Sequence, residues 1–297
     1  MSSEGDVQSR SYEAIAKGSK SFAAASRLLA PAVRDDVVRL YAWCRHCDDV
    51  IDGQSLGGEL TELSPDEQRE RLAALEAETA RALDTDEPVS PPFEALRAVA
   101  RAHDFPRPWA FDLLQGFRTD VERTPFRTFD DTLLYCYHVA GIVGVMMARV
   151  MGVRDEAVLD RACDLGLAFQ LTNIARDVEE DARGGRSYVP DEWDLDTLAA
   201  AKRLVREAEP YYASAVHGLP ALAFRSAWAI AAARRIYRAI GIKVAATEAW
   251  QGRAYTTKGE KARMVLAAWN DARRSRGGDQ DSARVDLWTR RERLVQG

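Results

Sequence analysis

Two runs of polar residues stand out by type and spacing. In LYAWCRHCDDVID, Tyr41, Arg45, Asp48 and Asp52 recur at i, i+4, i+7 and i+11. At about 100° per residue they share a narrow sector of one helix face. In AFQLTNIARDVEED, Gln170, Asn173, Asp177 and Asp181 recur at i, i+3, i+7 and i+11. Leu40, Trp43, Val50 and Ile51 offer the first segment an apolar side, and Leu165, Phe169 and Ile174 do the same for the second. Carboxylates one helical turn apart can hold one or two hard cations through oxygen, and magnesium characteristically bridges such carboxylates to substrate phosphates. Two facing stripes would clamp a diphosphate and neutralise the charge that develops as it leaves. Arg45, Arg176 and Lys20 could donate to the same leaving group. A lone Asp pair at i, i+4 more often lies on a solvated helix face. Two pairs, each continued by polar groups on an apolar helix, favour a metal site, because like charges gathered there would otherwise cost stability.

These stripes need helices to carry them. Apolar periodicity and breakers predict helices near 11–29, 32–52, 65–83, 91–103, 107–119, 129–151, 155–182, 195–216, 220–246 and 257–270. Gly53 to Pro65 and Asp84 to Pro92 read as loops, and Arg183-Gly184-Gly185-Arg186 interrupts the chain after the longest helical pattern. Strand-like alternation is scarce and no repeat is visible, so the expectation is one all-α domain over 11–272. A short tail (1–10) precedes it, and a charged, loosely ordered tail (273–297) follows.

Composition narrows the classes. With 46 % hydrophobic residues a large core is available, and a net charge of −5 without a long Lys/Arg run gives no nucleic-acid footprint. The start, MSSEGDVQSR, has no apolar stretch, and the longest apolar run, Val139 to Ala148, is shorter than the roughly 20 residues of a bilayer span. A cytoplasmic protein is expected. Cys44 and Cys47 form a C-x-x-C pair without a second such pair, and with Cys136 and Cys163 they read as reduced core thiols.

Taken together, GSKSF (18–22), YAWCRHCDDVID (41–52), YCYHVAGIVG (135–144) and FQLTNIARDVEEDARGGRSYVP (169–190) resemble the synthases that join two prenyl diphosphates head to head, over roughly residues 11–270. Within them the chain looks most like the bacterial phytoene-forming branch of the squalene/phytoene synthases. The resemblance implies an all-α bundle with a central cavity. It implies magnesium, with manganese as a substitute, at Asp48, Asp52, Asn173, Asp177 and Asp181. It implies diphosphate contacts at Ser19, Lys20, Ser21, Tyr41, Arg45, Gln170 and Arg176, and cavity positions at Phe22, Tyr135, Tyr188 and Tyr237, with Arg253 as a distal basic residue. Ala140, Val143 and Gly144 would leave space for isoprenoid chain, with close helix packing as the alternative role of the small residues. The connection after Val189-Pro190 is shorter than the family's.

The implied reaction ionises one C20 diphosphate. The second substrate attacks the allylic cation to give a cyclopropyl intermediate, and a second ionisation with proton loss gives phytoene. No G-x-G-x-x-G loop is present, so no NADPH is expected. Two other readings stand beside it: a squalene or dehydrosqualene synthase using C15 substrates, and a catalytically silent scaffold, which would have no need of both aspartate stripes. Greasy substrates suggest reversible peripheral membrane association, for which Leu287-Trp288-Thr289-Arg290-Arg291 is the candidate segment. Ser26, one turn beyond Phe22, is expected to leave the cavity deep enough for a C20 tail.

Overall fold

A computed structural model describes residues 25–53, 63–250, 252–277, 284 and 286–290. The elements are α1 (Pro31–Asp52), α2 (Pro65–Asp84), α3 (Pro91–Ala102), α4 (Pro108–Val121), α5 (Phe129–Cys136), a π-helical turn (Tyr137–Gly141), α6 (Ile142–Val150), α7 (Glu156–Arg183), α8 (Thr197–Val216), α9 (Phe224–Ala245) and α10 (Lys258–Arg274). No strand occurs among the described residues. Ser19, Lys20, Ser21 and Phe22 lie outside them.

The helix starts are written in local chemistry. Proline opens each of α1 to α4, where its missing N–H costs nothing. Ser64, Thr128 and Thr257 form reciprocal capping boxes with Glu67, Asp131 and Glu260. Asp155 and Asp196 cap α7 and α8. Gly53, at φ 69°, stops α1 one residue after Asp52.

The 28-residue α7 is the central post, packed by α5, the π turn, α6, α8 and α9. Its approach to the π turn and α6 is at backbone distance. A Cβ on Gly166 would lie 2.4 Å from the Ala140 carbonyl oxygen, and one on Gly144 would lie 2.4 Å from that of Ala162. Gly144 therefore serves close packing and also lines the cavity described below. Gly166→Ala is expected to destabilise the protein by about 3 kcal/mol, the upper end of the usual cost of overpacking, because the clash is with backbone that cannot rotate away. Urea unfolding would measure it.

Three expectations change. The helix expected over 129–151 runs through Phe129–Val150 and carries a π turn inside it. By length and composition Phe129–Val150 is apolar enough to cross a membrane, although no single run within it is; 67 % of its most apolar window is buried in the bundle. The described residues of the C-terminal tail are docked. Trp288 is 7 % exposed, its ring 5.4 Å from that of Tyr137, and its backbone N–H donates to the Tyr211 hydroxyl. Arg284 grips the buried Asp164 at 2.9 and 2.6 Å, while Arg290 holds Asp160 at 2.9 Å and also Glu156. Charge complementarity with α7 fastens this segment, so Trp288 and Arg290 are not available to lie on a membrane.

Candidate active site

An apolar cavity of about 450 Å³ runs into the bundle. Leu113, Phe117, Val139, Val143, Met147 and Leu165 form much of its wall, and Tyr41, Arg45, Asp48, Asp120, Gln170 and Asn173 gather where it turns polar. Of the residues expected at the site, Tyr41, Arg45, Asp48, Tyr135, Ala140, Val143, Gly144, Gln170, Asn173 and Tyr237 line this cavity. Asp52, Asp177, Asp181, Arg176, Tyr188 and Arg253 do not line it. They continue the same polar region, through the contacts below. Cys44 also lines the cavity and Cys47 is buried, both as free thiols.

The first stripe is built around Arg45. Its guanidinium holds Asp48 at 2.8 Å and the buried Asp49 at 2.6 Å, which fixes it over the helix face. Asp48 has a side chain 42 % exposed to the cavity, yet the dense protein around it and then neighbouring Asp52 push its carboxyl up to about 7. Burial likewise raises Asp52, against the pull of Arg186 and Arg45. In the second stripe burial and Asp177 raise Asp181 to about 6. Asp177 itself is held by Arg176 at 2.8 Å and by Arg253 at 2.8 and 2.9 Å. Both stripes run to the C-terminal ends of their helices, where the macrodipole disfavours anions and favours cations.

Two residues that the sequence reading passed over sit between the stripes. Asp120, at the end of α4, accepts from Tyr188 at 2.8 Å and from Tyr135 at 3.1 Å, and those two rings stack at 4.8 Å. Burial raises it to about 6 despite these donors. Asp120 acts on both Asp48 and Asp181, and Arg186 acts on both Asp52 and Asp181, so the stripes face a common space. Neither residue has an i, i+4 partner of the same kind, so no periodic signal announced it. The RGGR break offered the one hint of Arg186.

The donor set fits a hard cation. Asn173 donates through its amide nitrogen to Gln170 at 3.3 Å, which leaves its carbonyl oxygen buried without a hydrogen-bond partner. A buried, unsatisfied oxygen on the same helix face as a run of carboxylates is an arrangement that a cation would complete. Among the described residues no three His, Cys, Asp or Glu side chains gather closely enough to hold an ion by themselves. Water and substrate phosphate would supply the remaining ligands, which is how magnesium is usually held.

An all-helical bundle whose apolar cavity opens between two acid-bearing helices defines an isoprenoid-synthase-like fold, and the comparisons agree. A solved dehydrosqualene synthase superposes with a TM-score of 0.80 at 27 % identity, covering 91 % of this chain and 98 % of that one. A squalene synthase from Alicyclobacillus acidocaldarius shares the fold at a TM-score of 0.70 and 21 % identity, covering 82 % and 94 %. The profile of the squalene/phytoene synthase family matches residues 15–260. The 15-cis-phytoene synthase of Paracoccus sp. (strain N81106 / MBIC 01143) is 54 % identical, over 96 % of this chain and 98 % of its own. That of Pantoea ananas is 50 % identical, over 94 % and 96 %. The chain belongs to the squalene/phytoene synthase family and is an enzyme of the prenyltransferase type.

Proposed function

We propose that this enzyme condenses two geranylgeranyl diphosphates head to head, through prephytoene diphosphate, to phytoene. The observation that carries the reading is the pair of acid stripes converging on the polar end of an apolar cavity, in a chain about half identical to named phytoene synthases. Asp48, Asp52, Asn173, Asp177 and Asp181 would hold magnesium. The ion would neutralise the departing diphosphate.

The chain's own residues do the rest. Arg45, anchored by Asp49, stays in place while Asp48 is engaged elsewhere. Arg176 and Arg253 rest on Asp177 and are positioned to pass to diphosphate oxygens once that carboxylate takes another partner. Tyr237, stacked on Phe169 at 4.2 Å, places an aromatic face on the cavity wall, suited to an allylic cation. The apolar wall keeps out water, which would quench such a cation. Ser19, Lys20, Ser21 and Phe22 belong to this proposal by resemblance alone.

The direct test is incubation with magnesium and C20 or C15 diphosphate, with and without NADPH, and identification of the hydrocarbon. Phytoene from C20 substrate without NADPH is expected. A C30 product made only with NADPH would replace this reading by squalene synthesis.

Chain length supplies a further expectation. Ser26 is buried and lines the cavity beside Ala25 and Leu29. Five additional carbons buried there are worth at most roughly 4 kcal/mol at about 0.8 kcal/mol per methylene. Ser26→Phe is expected to move the kcat/KM preference toward the C15 substrate and to leave metal dependence unchanged. Parent-like turnover of C20 would show that position 26 does not limit depth.

A further inference from the structure

The helix α10 begins where the family match ends, and its two faces differ sharply. The inner face packs on α9 through Ala268 and Ala272, and both of its acids are engaged there. Glu260 pairs with Lys243 at 2.8 Å and Asp271 accepts from Arg235 at 2.8 Å. On the outer face Arg263, Leu266, Trp269, Asn270 and Arg273 fall within about a 120° sector at 100° per residue. Leu266 is 70 % exposed and Trp269 40 %, with the Arg273 guanidinium 5.8 Å from the Trp269 ring. Tyr255, also 70 % exposed, precedes the helix, and its carbonyl is held by Lys243, the neighbour of the half-exposed Ile242.

Two of the six exposed large hydrophobic residues among those described, Leu266 and Trp269, therefore lie on this face, and two more, Ile242 and Tyr255, belong to the segments that Lys243 ties to its start. Residues 258–276 carry six basic side chains and two acidic ones, and the two acids are the inward-paired Glu260 and Asp271. In a chain of net charge −5 this is a local reversal of sign. Arginine interleaved with leucine and tryptophan on an exposed helix face matches the chemistry of an anionic bilayer surface. The segment leading into α10 also reaches the second acid stripe, because Arg253 grips Asp177.

We infer that the outer face of α10, with Tyr255, docks on an anionic phospholipid bilayer and holds the polar mouth of the cavity at the lipid boundary. The purpose assigned to docking, access to apolar substrate and product, rests on the reaction proposed above. The docking itself does not.

The experiment is co-sedimentation of the full chain, without magnesium or prenyl substrate, with vesicles of mixed phosphatidylglycerol and phosphatidylcholine or of phosphatidylcholine alone. Binding to the anionic vesicles, weakened by salt and at least tenfold poorer on the neutral ones, is expected. Arg263→Gln and Arg273→Gln should each lower it about fivefold, from roughly 1 kcal/mol per basic residue at such a surface. Leu266→Asp, at a position too exposed to affect folding, should lower it further. All three variants should keep parental activity on detergent-dispersed substrate. Parent-like vesicle binding by the variants, or no binding by the parent, would overturn the inference. So would conversion of an oligomer to monomers by Leu266→Asp with vesicle binding intact, which would make the face a contact between copies. Because the sedimentation is done without substrate, vesicle binding is read independently of the reaction, and failure to form phytoene would leave the docking measurement standing.

Discussion

Asp48→Asn and Asp177→Asn are each expected to lower hydrocarbon formation by about 10²-fold or more, the usual cost of removing one preorganised electrostatic contributor to a transition state. Stability should not follow activity. Asp48 is a carboxylate that burial and Asp52 hold up near 7, so a neutral isostere removes an unfavourable charge from the metal-free protein. The melting temperature of Asp48→Asn without metal should equal or exceed that of the parent, while magnesium should raise it less. Asp177→Asn differs in one respect: it frees Arg176 and Arg253, and its metal-free form should be modestly less stable. Rates within a few-fold of the parent for both variants would remove these residues from the proposed metal site.

Arg284→Ala should produce the largest loss of stability, about 3–5 kcal/mol, the cost of leaving a buried carboxylate without its cation. Asp164 is fully buried and depends on Arg284 and the Ser214 hydroxyl. Such a loss is a large share of the roughly 5–15 kcal/mol that holds a domain folded. The paired variant Arg284→Met with Asp164→Leu, which removes both charges, should recover most of it. The two outcomes together separate a buried ion pair from simple packing of the tail. If Arg284→Ala unfolds at the parental urea concentration, the C-terminal segment is not fastened through this pair.

The helices were legible because their punctuation is local: proline at the first turns of α1 to α4, capping boxes at Ser64 and Thr257, a left-handed glycine after Asp52. The acid stripes were legible because i, i+4 spacing survives folding. What spacing cannot say is which cation a stripe meets. Glu156, Asp160 and Asp164 repeat on α7 at the same interval as Asn173, Asp177 and Asp181. Asp164 and Asn173 are nine residues apart, about half a turn out of phase at 100° per residue. One stripe meets Arg284 and Arg290 of the same chain, more than 100 residues away in sequence, and the other meets the cavity mouth. Asp120 and Arg186 were missed for a related reason: each acquires its partners only when α4, α7 and the loop after it converge.

The π turn bears on how the chain can change length. Such a turn holds one residue more than an α-helix needs for the same span. Removing a residue from 137–141 would therefore restore a regular α-helix with the flanking segments nearly in their present phase, so that Gly144 stays on the Ala162 carbonyl and Val143 and Met147 stay on the cavity wall. A deletion within 142–150 has no such spare residue to remove and would swing everything beyond it by about 100°. The same small edit is thus absorbed at the π turn and ruinous a few residues further on, so the places where this helix can change length are set by its own geometry.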